Sequence, residues 1–251
     1  MTDAVVKMDA VVKIGGRLGR GTYLRALCER VAVLGRRHRL LIVPGGGVFA
    51  DTVRRCDERV GLSDTAAHWM AILAMDQYGY LLADLIPGSR AVRSLEEAQG
   101  LVEEGRVPVV LPFDLVKRAD ALPHSWSVTA DSIAAWVAGL VEAGTLVLLK
   151  DRKGFSSPIE GKGGSSPRTV TLDELAGWEG VDGYCSQLLQ GAGFDLWIVN
   201  GERPDRLTEL LETGRTEGIR MLRSDSSDCA PRHGPPGRSD DLPDTPLSGH
   251  L

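Results

Sequence analysis

A lysine inside an apolar run is costly unless its ammonium reaches water or meets anionic oxygen. Lys13 stands in such a run: "VVKIGG", residues 11–16, surrounds it with Val11, Val12 and Ile14, then turns on Gly15 and Gly16. Phosphate is one anion it could meet; a solvated lysine at a strand tip is the other reading. The near-repeat of "DAVVK" at 3–7 and 9–13 places two lysines in the same local sequence, and only Lys13 is followed by a glycine pair.

A second glycine turn lies in "LIVPGGGVFAD", residues 41–51, where Gly45, Gly46 and Gly47 end an apolar run and open a helical pattern. Without Cβ atoms, their N–H groups can approach an anion beside the positive end of a helix. A tight strand-to-helix turn needs the same residues, and the spacing fits neither the Walker motif nor the dinucleotide fingerprint. In "HSWSVTADS", residues 124–132, Thr129 reads as an N-cap that puts Asp131 in the first helical turn. That carboxylate either completes the cap or orients a lysine. In "LVLLKDRKGF", residues 146–155, an apolar run ends in Lys150, Asp151, Arg152 and Lys153. These cations could line a triphosphate with Asp151 orienting one of them, or form a solvated loop.

The elements that must carry these residues read as α/β. Short apolar, β-branched runs at "AVVKI", "RLLIVPGGG", "VPVVLP", "TLVLLK" and "FDLWIVNG" have the length of buried strands. Helical patterns fall at about 22–33, 49–60, 64–86, 95–104, 130–143, 183–191 and 205–213. Alternation of this kind implies a mainly parallel sheet with helices on both faces, a three-layer αβα sandwich whose ligands bind at the carboxyl ends of the strands. Both glycine turns belong at that rim. Residues 1–223 read as one domain, and 224–251, without Val, Ile, Met, Phe, Tyr or Trp and dense in Pro, Gly, Ser and Asp, as a disordered tail.

Composition limits the partners. A net charge of −5 argues against nucleic acid and anionic membrane surfaces as partners. Cys28, Cys56, Cys185 and Cys229 show no zinc or disulfide spacing and suit a reducing cytoplasm. The start lacks a secretory pattern, and no window reaches the roughly 18 apolar residues of a membrane span.

Taken together, "KIGG", "PGGG", "TADS" and "LLKDRKG" resemble the amino acid kinase family over about residues 9–223. The resemblance implies an αβα sandwich that phosphorylates a carboxylate, carbamate or phosphate with ATP. It assigns Lys13 to the transferring phosphoryl group, Asp131 to organising the lysines, and Lys150 to catalysis. Gly15, Gly16, Lys150, Asp151, Lys153 and Gly154 would face the nucleotide; Gly45, Gly46, Gly47 and Thr129 would face the acceptor. Mg2+ would bridge the ATP phosphates, held mostly by nucleotide and water, with no protein metal ligand assigned.

"PGGGVFAD", "LSDTAAHWMAILAMDQYG", "HSWSVTADS" and "WIVNGERPDRL" look most like the branch of that family in methanofuran biosynthesis, which converts an aminomethylfuran-methyl phosphate to the diphosphate. His68 and Trp69, with His124 and Trp126, are then candidates for recognising the acceptor, or ordinary packing; Trp136, Trp178 and Trp197 read as core. The segment 70–86, apolar on more than one face, suggests a homo-oligomer.

Two departures stand out. Family members usually read like "TDVDG" where this chain has "KDRKG", and "VDGYCSQLLQ" lacks the second lysine many of them carry there. Lys150 or Lys153 could take its place. Other readings are a non-catalytic anion or nucleotide binding and storage protein, or a kinase of UMP or isopentenyl phosphate; the latter type usually has a histidine where this chain has Asp51.

Overall fold

Val11, Val12 and Ile14, with Leu40, Leu41, Ile42 and Val43 beside them, are almost wholly withdrawn from solvent. Chain covered on both faces in this way belongs at the centre of a parallel sheet. In the computed structural model, which describes residues 7–155, 167–178 and 180–223, β1 (Ala10–Ile14) runs between β2 (Leu40–Pro44) and β5 (Thr145–Lys150). Both neighbours are parallel, and Lys13 stands opposite Val43 on one side and Leu148 on the other. The segment 224–251 and Cys229 lie outside the described residues.

The described residues form one eight-stranded sheet, ordered β3-β4-β2-β1-β5-β7-β8-β6. The outer strands are β3 (Arg90–Val92), β4 (Pro108–Val110), β6 (Arg168–Thr169), β7 (Asp195–Asn200) and β8 (Ile219–Met221). Its ladders are parallel except for β7 with β8.

Alternation sends successive side chains to opposite faces. Ala10, Val12, Ile14, Val147 and Leu149 meet α1 (Leu24–Leu34), α10 (Pro204–Thr213) and the later part of α3 (Asp64–Leu85). Val11, Leu146 and Leu148 meet α4 (Leu95–Glu103), α5 (Pro112–Ala119), α6 (Ala130–Leu140), α8 (Leu172–Ala176) and α9 (Gly183–Leu189). With α2 (Gly47–Val60) beside α3 and the short α7 (Arg152–Phe155) after β5, this is the three-layer sandwich expected from the sequence. Trp197 is core; Trp136 and Trp178 are only partly buried against it.

The expected helices are present with shifted ends; that at 130–143, for instance, stops at Leu140. Among the described residues, α5, α7, α8, β3, β6 and β8 escape the sequence reading. Pro112 reads as the end of a strand but occupies the first turn of α5, where a missing N–H costs nothing. At three residues, β3 and β8 are too short to show a period. By contrast α8 carries a legible start, a capping box between Thr171 and Glu174.

The two glycine turns interlock. A Cβ on Gly16 would lie 2.0 Å from the backbone nitrogen of Gly47, and one on Gly45 would lie 2.5 Å from that of Gly16. Gly61, at the left-handed end of α2, has open space around it. Gly16→Ala should therefore cost about 2–3 kcal/mol, the upper range of overpacking, and Gly61→Ala about 1 kcal/mol of left-handed strain. Urea unfolding of the two variants checks the order.

Candidate active site

Because Lys13 follows Val11 on one face of β1, its side chain leaves the sheet toward α6. Lys150, two residues beyond Leu148 in β5, leaves on that same face. The first turn of α6 sits above them, capped by Thr129, whose hydroxyl oxygen accepts from the Asp131 N–H at 3.3 Å. Asp131 thus meets both lysines: its Oδ1 is 2.8 Å from Lys13 Nζ and its Oδ2 2.5 Å from Lys150 Nζ. The three side chains are 9%, 10% and 5% exposed for Lys13, Lys150 and Asp131.

Two buried ammonium groups on one carboxylate make a net positive trio in a poorly solvated place. Burial pushes the Asp131 carboxyl upward, but Lys13 and then Lys150 outweigh it and hold it below the usual carboxylate range. Burial also lowers Lys13; Asp131 opposes that and Lys150 reinforces it. The geometry favours an anionic ligand over the lysines.

A cavity of about 380 Å³ opens there. Its wall brings together Lys13, Gly16, Gly45, Gly46, Gly47, His68, Trp126, Thr129, Asp131 and Lys150, residues expected at the site from sequence. Gly15, His124, Asp151, Lys153 and Gly154 are not part of this wall. Gly15 presses on β5 instead, its N–H donating to the Leu149 carbonyl at 2.9 Å. The Gly45 N–H likewise donates to Ile14, also at 2.9 Å, so the glycines serve loop packing as well as any anion. Asp151 pairs with Arg17 at 3.1 Å. Lys153 is exposed and Gly154 falls in α7.

His124 supports the site from behind. Its Nδ1 is 3.1 Å from Thr65 Oγ1 and its Nε2 2.9 Å from Asp120 Oδ1. Its ring stacks on His68 at 4.7 Å, with Trp69 edge-on to both. Burial, then His124, pushes His68 down to about 4, so near neutral pH it offers a hydrogen bond and no charge. Trp126 donates from Nε1 to Asp57 Oδ2 at 2.7 Å, and the Arg54 guanidinium lies 5.1 Å from its ring centre.

Sequence reasoning passed over Arg17, Asp51 and Arg54 as site residues, all on the wall. Arg17 was signalled by its place after the glycine pair, whereas Arg54 looks like any surface arginine until α2 is placed beside the 120–129 loop. With Lys13 and Lys150 these make four cations against the two carboxylates Asp51 and Asp131, a locally positive cleft in a chain of net charge −5 and a fit for a polyphosphate. Ala71, Ile72, Met75, Val128 and Ile133 add an apolar patch. Among the described residues no cluster of His, Cys, Asp and Glu is placed to hold a metal ion, and no helix is long and apolar enough to cross a membrane.

Solved structures share this architecture. The UMP kinase from Ureaplasma parvum superposes with a TM-score of 0.66 at 15% identity, covering 86% of this chain and 100% of that one. The uridylate kinase from Archaeoglobus fulgidus gives 0.65 at 16%, covering 86% and 100%. In sequence, the chain is 28% identical over 207 residues to the [5-(aminomethyl)furan-3-yl]methyl phosphate kinase of Methanocaldococcus jannaschii, spanning 80% of this chain and 92% of that enzyme. The sequence profile described as the amino acid kinase family matches residues 8–184, so the chain belongs to the amino acid kinase family.

Proposed function

We propose that this protein is an ATP-dependent kinase that transfers a phosphoryl group to the phosphate of a small phosphomonoester, with an aminomethylfuran-methyl phosphate as its acceptor. The observation that carries the reading is the pair of buried ammonium groups on one carboxylate, facing a cleft framed by two glycine turns. Transfer between two anions is limited by repulsion and alignment, which fixed cations and positioned loops relieve. An acceptor phosphate is already ionised at neutral pH, so no general base is required.

In this reading Lys13 and Lys150 neutralise charge on the group in flight, and Asp131 holds them at the required spacing. Gly16 and Gly45 to Gly47 leave room for phosphates close to the backbone. Lys153 and Asp151 face the nucleotide side. Bound to the nucleotide and water, Mg2+ supplies further charge neutralisation. The apolar patch of Ile72, Met75, Val128 and Ile133, with Trp126 beside it, suits a small ring bearing few polar groups. His68, neutral and on the wall, adds one hydrogen-bonding group. The 28% identity to the aminomethylfuran-methyl phosphate kinase supports that acceptor. Met70, Leu73 and Leu81, exposed on α3, support a homo-oligomer.

Release of ADP from Mg-ATP in the presence of a phosphomonoester panel tests the assignment, the panel holding the aminomethylfuran-methyl phosphate, UMP and isopentenyl phosphate. Nucleotide binding without turnover on any of them would instead favour a storage or binding protein.

Lys13→Ala and Lys150→Ala should each lower kcat by about 100- to 1000-fold, as loss of a transition-state charge contact does. Asp131→Asn should act in the same direction, and Lys153→Ala should raise the nucleotide KM more than it lowers kcat. Steady-state kinetics on the four variants decides which lysine replaces the one missing from "VDGYCSQLLQ".

The pH profile gives a further check. Lys13 must be protonated to act, and burial lowers it from 10.5. Turnover is therefore present below that lowered value and lost as pH rises through it, so the alkaline limb should begin below the usual lysine range. Residual turnover of Lys13→Arg should lack the limb, since a guanidinium keeps its proton.

A further inference from the structure

The carboxylate of Asp182 gathers donors from two helix starts. Its Oδ2 accepts from the Thr129 N–H at 3.3 Å, the Thr129 hydroxyl at 2.5 Å and the Ser132 N–H at 3.1 Å. Its Oδ1 accepts from the Ser132 hydroxyl and from the Cys185 N–H, the latter at 2.7 Å. Capping α9 requires only the Cys185 contact. The other four grip residues 129 and 132, on either side of Asp131, whose own N–H is already satisfied by Thr129. A partly buried carboxylate with this many donors is a rigid anchor.

We infer that Asp182 is a positioning residue for phosphoryl transfer: it locks the first turn of α6 so that the Asp131 carboxylate stays between the ammonium groups of Lys13 and Lys150. The inference rests on the kinase reading above for its catalytic consequence, but its structural part does not. A loosened turn would let Asp131 drift, and a misplacement of about 1 Å near reacting atoms costs up to about 100-fold in rate. Asp182 also adds negative charge within reach of Lys13, where Asp131 and Lys150 are the other charged groups; removing it should make Lys13 release its proton more readily. The buried Cys185 thiol lies on the same side, held neutral by burial and by Asp131 and Asp182.

Asp182→Asn and the milder Ser132→Ala, which keeps the charge and removes one tether, test this in the full chain. Carbon-13 NMR of labelled lysines, with Lys13 assigned through Lys13→Arg, reads the site without any turnover. In Asp182→Asn the Lys13 midpoint should fall by about half a pH unit or more. With Mg-ATP and the phosphomonoester, kcat should fall about 10-fold or more while KM for ATP stays within about 3-fold, because positioning acts on the transition state and not on binding. Ser132→Ala should lower kcat by a smaller factor and leave the Lys13 midpoint near its original value.

An unchanged Lys13 midpoint in a folded Asp182→Asn protein overturns the inference, as does a loss of rate matched by the unfolded fraction in thermal melts. If Asp182→Asn does not fold, unchanged kcat in Ser132→Ala overturns it. If the wild-type protein turns over no phosphomonoester and the Lys13 midpoint still falls in Asp182→Asn, the coupling of Asp182 to the lysine centre stands and the kinase assignment alone fails.

Discussion

One carboxylate shared by two buried ammonium groups is the interaction on which the rest of this molecule depends. Asp131 faces both charges directly, and Asp182 lies within electrostatic reach of Lys13. Two cations on one carboxylate leave the immediate trio net positive, a setting that attracts an anion. Burial makes the imbalance matter, because charge in water would be weakened by the high dielectric and screened within about 10 Å.

The sheet makes the arrangement possible. Three adjacent parallel strands end at one rim, and the period of two puts Lys13 and Lys150 on the same face. α6 then delivers its first turn, the end with free N–H groups, over that face. The glycine turns after β1 and β2 pack so closely that Cβ atoms would collide with backbone, which fixes the two turns against each other on the cleft wall. Close packing suits phosphoryl transfer, which is governed by alignment.

The second ammonium at the central carboxylate comes from Lys150, at the end of β5. The start of α9 carries Asp182, whose carboxylate is hydrogen-bonded to the first turn of α6. Strand end and helix start thus act on one point, the turn that holds Asp131.

Much of this was legible in residue order. Period and composition determined the central strands, most helices, the sandwich and the placement of both glycine turns, because each depends on neighbours within one element. The cap at Thr129 and the isolated Lys13 could be read for that reason too. Contact across elements could not. Lys150 and Lys153 are chemically alike and three residues apart, and only the register of β5 against β1 buries one and leaves the other in solvent. Arg54, Asp51 and Asp182 carry no local signal, since their roles arise from where α2, the 120–129 loop and α9 come to rest. His68 reads in sequence as an acceptor contact or as packing, and in place burial and the stacked His124 lower its pKa. Local pattern sets which groups a chain can offer, and long-range packing, through desolvation and distance, sets which of them are charged and which meet.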